Sequence, residues 1–140
     1  MMIQAILIPL FVQVALTFAL LFAMAGLRTR DIKSGAVDRH RIALREPNWP
    51  TRTTQVANSF ANQFEVPVLF YVLVILLIVL HHADLIFVIL AWIFVLTRIV
   101  HAFIHVTDNE VLWRGQAYGV GVLVLFVMWV IFAVEILSVI

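Results

Sequence analysis

Residues 66–80 read VPVLFYVLVILLIVL, residues 81–84 read HHAD, and residues 85–96 read LIFVILAWIFVL. Two long uncharged runs separated by four residues predict a hairpin of two antiparallel helices. Extended outward, the pair covers residues 54–80 and 85–106, and about 20 apolar residues are enough to cross the hydrocarbon of a bilayer. The same pattern recurs on either side. Residues 3–27 are apolar except for Gln4, Gln13 and Thr17, with Pro9 near the start where a missing amide does least harm. Residues 115–139 form a fourth run.

Composition agrees with lipid as the solvent. Of 140 residues, 64% are hydrophobic and only 12% charged, with a mean hydropathy of +1.10, whereas soluble domains carry about a quarter charged residues. Four spans use about 80 to 100 residues, which leaves one real loop and no separate soluble domain. A β-barrel is excluded, because the runs lack strict alternation and four of them cannot close. The first run has no small-residue cleavage site and reads as a retained helix rather than a signal peptide. The expected fold is therefore an all-α integral membrane protein, a four-transmembrane-helix bundle forming a single domain over residues 1–140. Cysteine is absent, so any sulfur chemistry must use a thiol brought by a ligand.

The loop at residues 28–53 carries Arg28, Arg30, Lys33, Arg39, Arg41, Arg45 and Arg52 against Asp31, Asp38 and Glu46, a net of +4 and seven of the nine basic residues. The positive-inside rule places it in the cytoplasm, with both termini and the 81–84 turn on the outer side and the 107–114 connector inside. In a bacterial cell this is the inner membrane. Trp49 and Trp113 fall at the cytoplasmic boundary, where aromatic anchors are expected. The loop either sets topology and touches anionic headgroups or also binds an anion. The bilayer is the expected partner; nucleic acid is not.

Ionisable side chains at membrane depth usually face a bundle interior or a cavity. In the second span Asn58, Asn62 and Glu65 fall at i, i+4 and i+7 on one helix face. In the third, Arg98, His101 and His105 share a face at i, i+3 and i+7, and Asn109 continues the stripe if that helix extends. Counting from the loop side brings Glu65 and Arg98 to similar depth, which predicts an ion pair between them. Asn62 with His101, and Asn58 with His105, form further rungs of a polar ladder opening to the cytoplasm. Such a ladder either lines a functional cavity or clips helices together through weak hydrogen bonds. It stops about halfway across, against ion conduction. His101 and His105 have a metal-compatible spacing, but Arg98 repels a cation, so no metal is expected. In the last span, Gly115, Gly119 and Gly121 with Ala117 predict close helix packing. Glu135 reads as interfacial, Tyr71 and Tyr118 as packing residues, and Arg114 as a snorkelling anchor or a ligand contact.

Size, layout, basic loop and polar ladder together resemble the MAPEG family, membrane-associated proteins in eicosanoid and glutathione metabolism, over nearly the whole chain. Asn62-Gln63-Phe64-Glu65-Val66-Pro67, running into Val68-Leu69-Phe70-Tyr71, is similar to the family's Asn-x-x-Glu followed by proline and an apolar run. Arg98-Ile99-Val100-His101, with His105, Asn109 and Arg114 beyond, resembles the Arg-x-x-His/Tyr pattern in the form seen in bacterial members. The resemblance implies a homotrimer of four-helix subunits that binds glutathione as co-substrate between neighbours, near the cytosolic side. It matches Asn62 and Glu65 to the glutathione-contacting pair, with Glu65 suited to the ligand's amino group. His101 and His105 stand where eicosanoid members have tyrosines, and Arg28 or Arg30 would meet a ligand carboxylate. Arg114 is the candidate catalytic residue, stabilising a thiolate. Asn58 and Arg98 complete the ligand-binding set.

Two positions depart from the pattern. Asn58 stands where glutathione-using members typically carry an arginine, and Arg114 follows His105 by nine residues, a longer gap than in the eicosanoid enzymes. Two functions follow: a glutathione-dependent transferase or peroxidase acting on lipophilic substrates, or a non-enzymatic accessory or scaffold subunit of a larger membrane complex.

Overall fold

The computed structural model describes residues 2–44 and 47–140, so Arg45 and Glu46 of the basic loop lie outside the described residues. Among the described residues five α-helices follow one another: α1 (Ile3–Lys33), α2 (Thr51–Asn62), α3 (Val66–Val79), α4 (Leu85–Val106) and α5 (Val111–Leu137), with a 3₁₀ turn at Arg39–Arg41. Among the described residues four stretches are long and apolar enough to cross a membrane, because α2 and α3 together make the second.

Each boundary has a local cause. α1 continues beyond Leu27 through Lys33, since no breaker intervenes before Gly35, whose φ of +76° suits glycine. Arg30 and Lys33 in its last turn complement the negative end of the helix dipole. The hairpin turn is closed from both sides. His81, at φ +60°, ends α3, and the His82 amide reaches back to the Leu77 carbonyl at 2.8 Å. Asp84 then caps α4, its carboxylate accepting from the Phe87 amide at 3.2 Å. Glu110 caps α5 in the same way, accepting from the Trp113 amide at 2.8 Å.

The second span is not one helix. α2 ends at Asn62 and α3 begins at Val66 with Pro67 in its first turn. Pro67 has no amide to donate, and its ring would strike the Gln63 carbonyl of a continuous helix. The interruption is sealed by side chains: Gln63 Nε2 donates to the Ser59 carbonyl at 3.0 Å, and Gln13 Nε2 of α1 donates to Gln63 Oε1 at 2.8 Å. Both glutamines are fully buried, so the side chains that seal the interruption lie inside protein rather than in lipid.

α4 is the most buried of the spans, packing on α5, α1 and α2. Its apolar half meets Phe70, Leu73, Leu77, Met128 and Phe132 in the core, while Phe22, Leu69, Phe103 and Phe126 point outward, as lipid permits. Of the small residues in α5, Gly121 makes the close approach: a Cβ there would lie 2.6 Å from Thr97 Oγ1, whereas Gly115 and Gly119 have open space around them. Gly121→Ala is therefore expected to lower the unfolding free energy in detergent by about 1 kcal/mol, the lower end of overpacking costs. Gly119→Ala, with open space for the methyl group, should not lower it.

Candidate functional site

The break in the second span sets the register of the polar residues against α4. At the basic end, Arg52 donates to the Val106 carbonyl and Gln55 Nε2 donates to the Thr107 carbonyl at 3.3 Å. Two α2 side chains thus satisfy carbonyls that the end of α4 leaves open. Deeper in, Arg98 Nη2 donates to Asn62 Oδ1, and Asn62 Nδ2 donates to Glu65 Oε2 at 2.8 Å.

Glu65 and Arg98 thus do not form the direct ion pair that their similar depth predicts. The amide of Asn62 stands between them, its oxygen taken by the guanidinium and its nitrogen by the carboxylate. The reason is the helix end: once α2 stops at Asn62, Glu65 leaves the shared face and becomes the residue preceding α3. Arg98 is buried, whereas Glu65 and Asn58 are exposed on the outside of the single chain. Asn58 therefore forms no rung with His105.

The α4 stripe does lie inside. Arg98, His101 and His105 are all buried. The His101 ring packs at 5.5 Å from His105 and 5.6 Å from Tyr118 of α5, centroid to centroid. Arg114, one turn before Tyr118 on the same α5 face, is half-buried and donates to Asn109 Oδ1. Asn109 does not continue the α4 helix, which ends at Val106. It adopts φ +53°, a conformation that asparagine tolerates well, and its amide reaches the Ile104 carbonyl at 2.8 Å. Among the described residues Arg98 Nε, His101 Nδ1 and His105 Nδ1 are buried without a hydrogen-bond partner. Buried polar atoms are rarely left so, and these three share one face of α4.

The loop arginines lie apart from this group. Arg28 stacks over Trp49, 5.1 Å from the ring centroid, with its Nε buried and unpartnered among the described residues. Arg30 is exposed and 3.7 Å from Asp31. Asp31 is itself buried and accepts from the Thr53 hydroxyl, tying the end of α1 to the start of α2. The reading of the sequence missed this pair and the Gln13–Gln63 bond; the signal for both was a polar residue inside or just past an apolar helix, without an indication of its partner.

At the far end His82 Nδ1 meets Glu135 Oε2 at 3.2 Å, beside a shallow pocket of about 300 Å³ that His81 and Asp84 also line. No group of three or more metal-ligating side chains occurs among the described residues. An apolar groove of about 410 Å³ runs along the outer side of α4 and α5, between Ile93, Leu96 and Val100 on one side and Trp113, Gln116 and Val120 on the other.

No curated protein and no solved structure matches the chain significantly. One family model does, over residues 6–134, a range that takes in the second and third spans with the α4 stripe and nearly all of the first and fourth. This integral membrane protein belongs to the MAPEG family.

Proposed function

We propose that the protein is a glutathione-dependent transferase for lipophilic electrophiles, working as a homotrimer with its basic loop in the cytoplasm. The observation that carries this reading is the Arg98–Asn62–Glu65 relay at the break in the second span. Glutathione is a zwitterion with one ammonium, two carboxylates and a thiol, and the residues present suit each part. Exposed Glu65 offers a carboxylate to the ammonium. Arg98, with its buried Nε unpartnered among the described residues, and Arg28 offer guanidinium donors to carboxylates. Arg114 supplies the cation that favours an ionised thiol.

A carboxylate on the outer surface of a membrane bundle is costly in contact with lipid. Exposure of Glu65 and Asn58 on one chain thus supports a site completed by a second copy of the chain. The apolar groove on α4 and α5 supports arrival of a lipophilic substrate sideways from the bilayer. Glutathione held at such a site supplies the nucleophile: its sulfur bonds to the electrophilic carbon, the leaving group departs, and the thiol proton passes to water. The protein's part is to hold the ammonium at Glu65, keep Asn62 oriented through Arg98, and place positive charge where the sulfur becomes anionic.

Calorimetric titration of glutathione into the purified protein tests the reading. Saturable binding is expected, weakened about tenfold or more in Glu65→Gln, in line with loss of a charge-assisted hydrogen bond. Asn58, in the place of the family's arginine, favours the second reading of an accessory subunit. Absence of binding together with stable co-purification in a larger complex would decide for it.

A further inference from the structure

At the basic end of the molecule one described acid, Asp31, is buried, and the cations are mostly exposed. Asp31 is buried against the Thr53 hydroxyl. Asp38 accepts the His40 amide at 2.9 Å, and Glu110 is occupied as the cap of α5; Asp108 is exposed. Of the cations, Arg28 and Arg52 are engaged with Trp49 and the Val106 carbonyl. Arg30, Lys33, Arg39 and Arg41 are exposed, with His40 among them. Among the described residues 30–44, the exposed Arg30, Lys33, Arg39 and Arg41 outnumber the buried Asp31 and the exposed Asp38, so this surface is net basic.

Apolar side chains accompany these cations. Ile32 is 38% and Leu44 72% exposed. In bulk water a leucine among cations has nothing to bury against, whereas at the edge of a bilayer it enters the acyl boundary while the cations meet phosphates. The length of α1 puts the segment there. Its 31 residues span about 46 Å, against a hydrocarbon layer of about 30 Å. The last turns, with Arg30, Ile32 and Lys33, therefore emerge into the headgroup layer.

We propose that residues 30–44 form a docking surface for anionic phospholipid headgroups in the leaflet at this end of the bundle. A headgroup of net negative charge, such as phosphatidylglycerol, satisfies the exposed cations. Phosphatidylcholine brings its own ammonium to the same place and gains less. The surface is separate from the Arg98–Asn62–Glu65 relay and stands whether or not glutathione binds there.

The test uses the full chain in nanodiscs of mixed phosphatidylcholine and phosphatidylglycerol, with spin-labelled lipids reporting the shell around the protein. Phosphatidylglycerol should be retained about fivefold over phosphatidylcholine, the factor expected of one basic side chain near the surface. The preference should fall toward unity in Lys33→Gln/Arg39→Gln/Arg41→Gln, whose altered side chains are exposed, and in the unaltered protein at high salt. Equal retention of the two lipids would overturn the proposal. So would a preference that survives either the triple substitution or the salt.

Discussion

Arg114→Met is expected to lower kcat for glutathione addition to a lipophilic aryl halide by about 10²–10³, the usual cost of removing one preorganised donor from a developing anion. KM for the aryl halide should change little, because in the proposed mechanism the guanidinium acts on the sulfur and not on the hydrophobic partner. A loss confined to kcat marks an interaction made mainly in the transition state. Arg114 also donates to Asn109 in the turn between α4 and α5, so a purely structural role would loosen that turn. Arg114→Lys separates the two. It keeps a cation but not the planar fork, and partial recovery of kcat with unchanged unfolding identifies the charge as the working part. Steady-state kinetics of the three proteins in one detergent provide the comparison.

Asn62→Ala should destabilise the bundle by about 1.5–3 kcal/mol, the range for losing a hydrogen bond to a charged group. Arg98 is almost completely buried and its Nε already lacks a partner among the described residues. Without the Asn62 oxygen the guanidinium loses its acceptor on α2. The cost therefore belongs to the stranded cation more than to the missing amide. Replacing that cation by an apolar side chain of similar length should remove it, as replacing buried ionic groups by well-packed apolar ones often does. Asn62→Ala/Arg98→Met is expected to recover most of the lost stability, while neither variant holds Glu65 in place for a ligand. Denaturant unfolding of the two single variants and the double variant gives the coupling directly. Strict additivity would mean that the Arg98–Asn62 bond contributes nothing.

The long apolar runs made the spans legible, because in lipid only a helix or a closed barrel satisfies the backbone. The face shared by Arg98, His101 and His105 was legible for the same reason: α4 is regular, so a periodicity of 3.6 carries directly into space. The second span resisted that logic at one residue. Pro67 was visible, but a proline in a hydrophobic stretch either kinks the helix or ends it. Here the buried Gln13–Gln63 bond provides the contact that seals an end. From that point the expected Glu65–Arg98 rung gave way to Asn62–Arg98, a shift of three residues. The α5 glycines show the same limit on a smaller scale. Their spacing is regular, yet only Gly121 faces α4 at Thr97, because which side of α5 packs inward is a property of the bundle. Asp31 with Thr53 is likewise a pairing between elements that no local pattern specifies.

Whether this site holds glutathione and favours its thiolate is read by an ultraviolet difference titration of glutathione against the purified protein near neutral pH. A saturable thiolate band is expected, lost in Arg114→Met although glutathione still binds. Binding with no thiolate band in the unaltered protein, or no binding at millimolar glutathione, would contradict it.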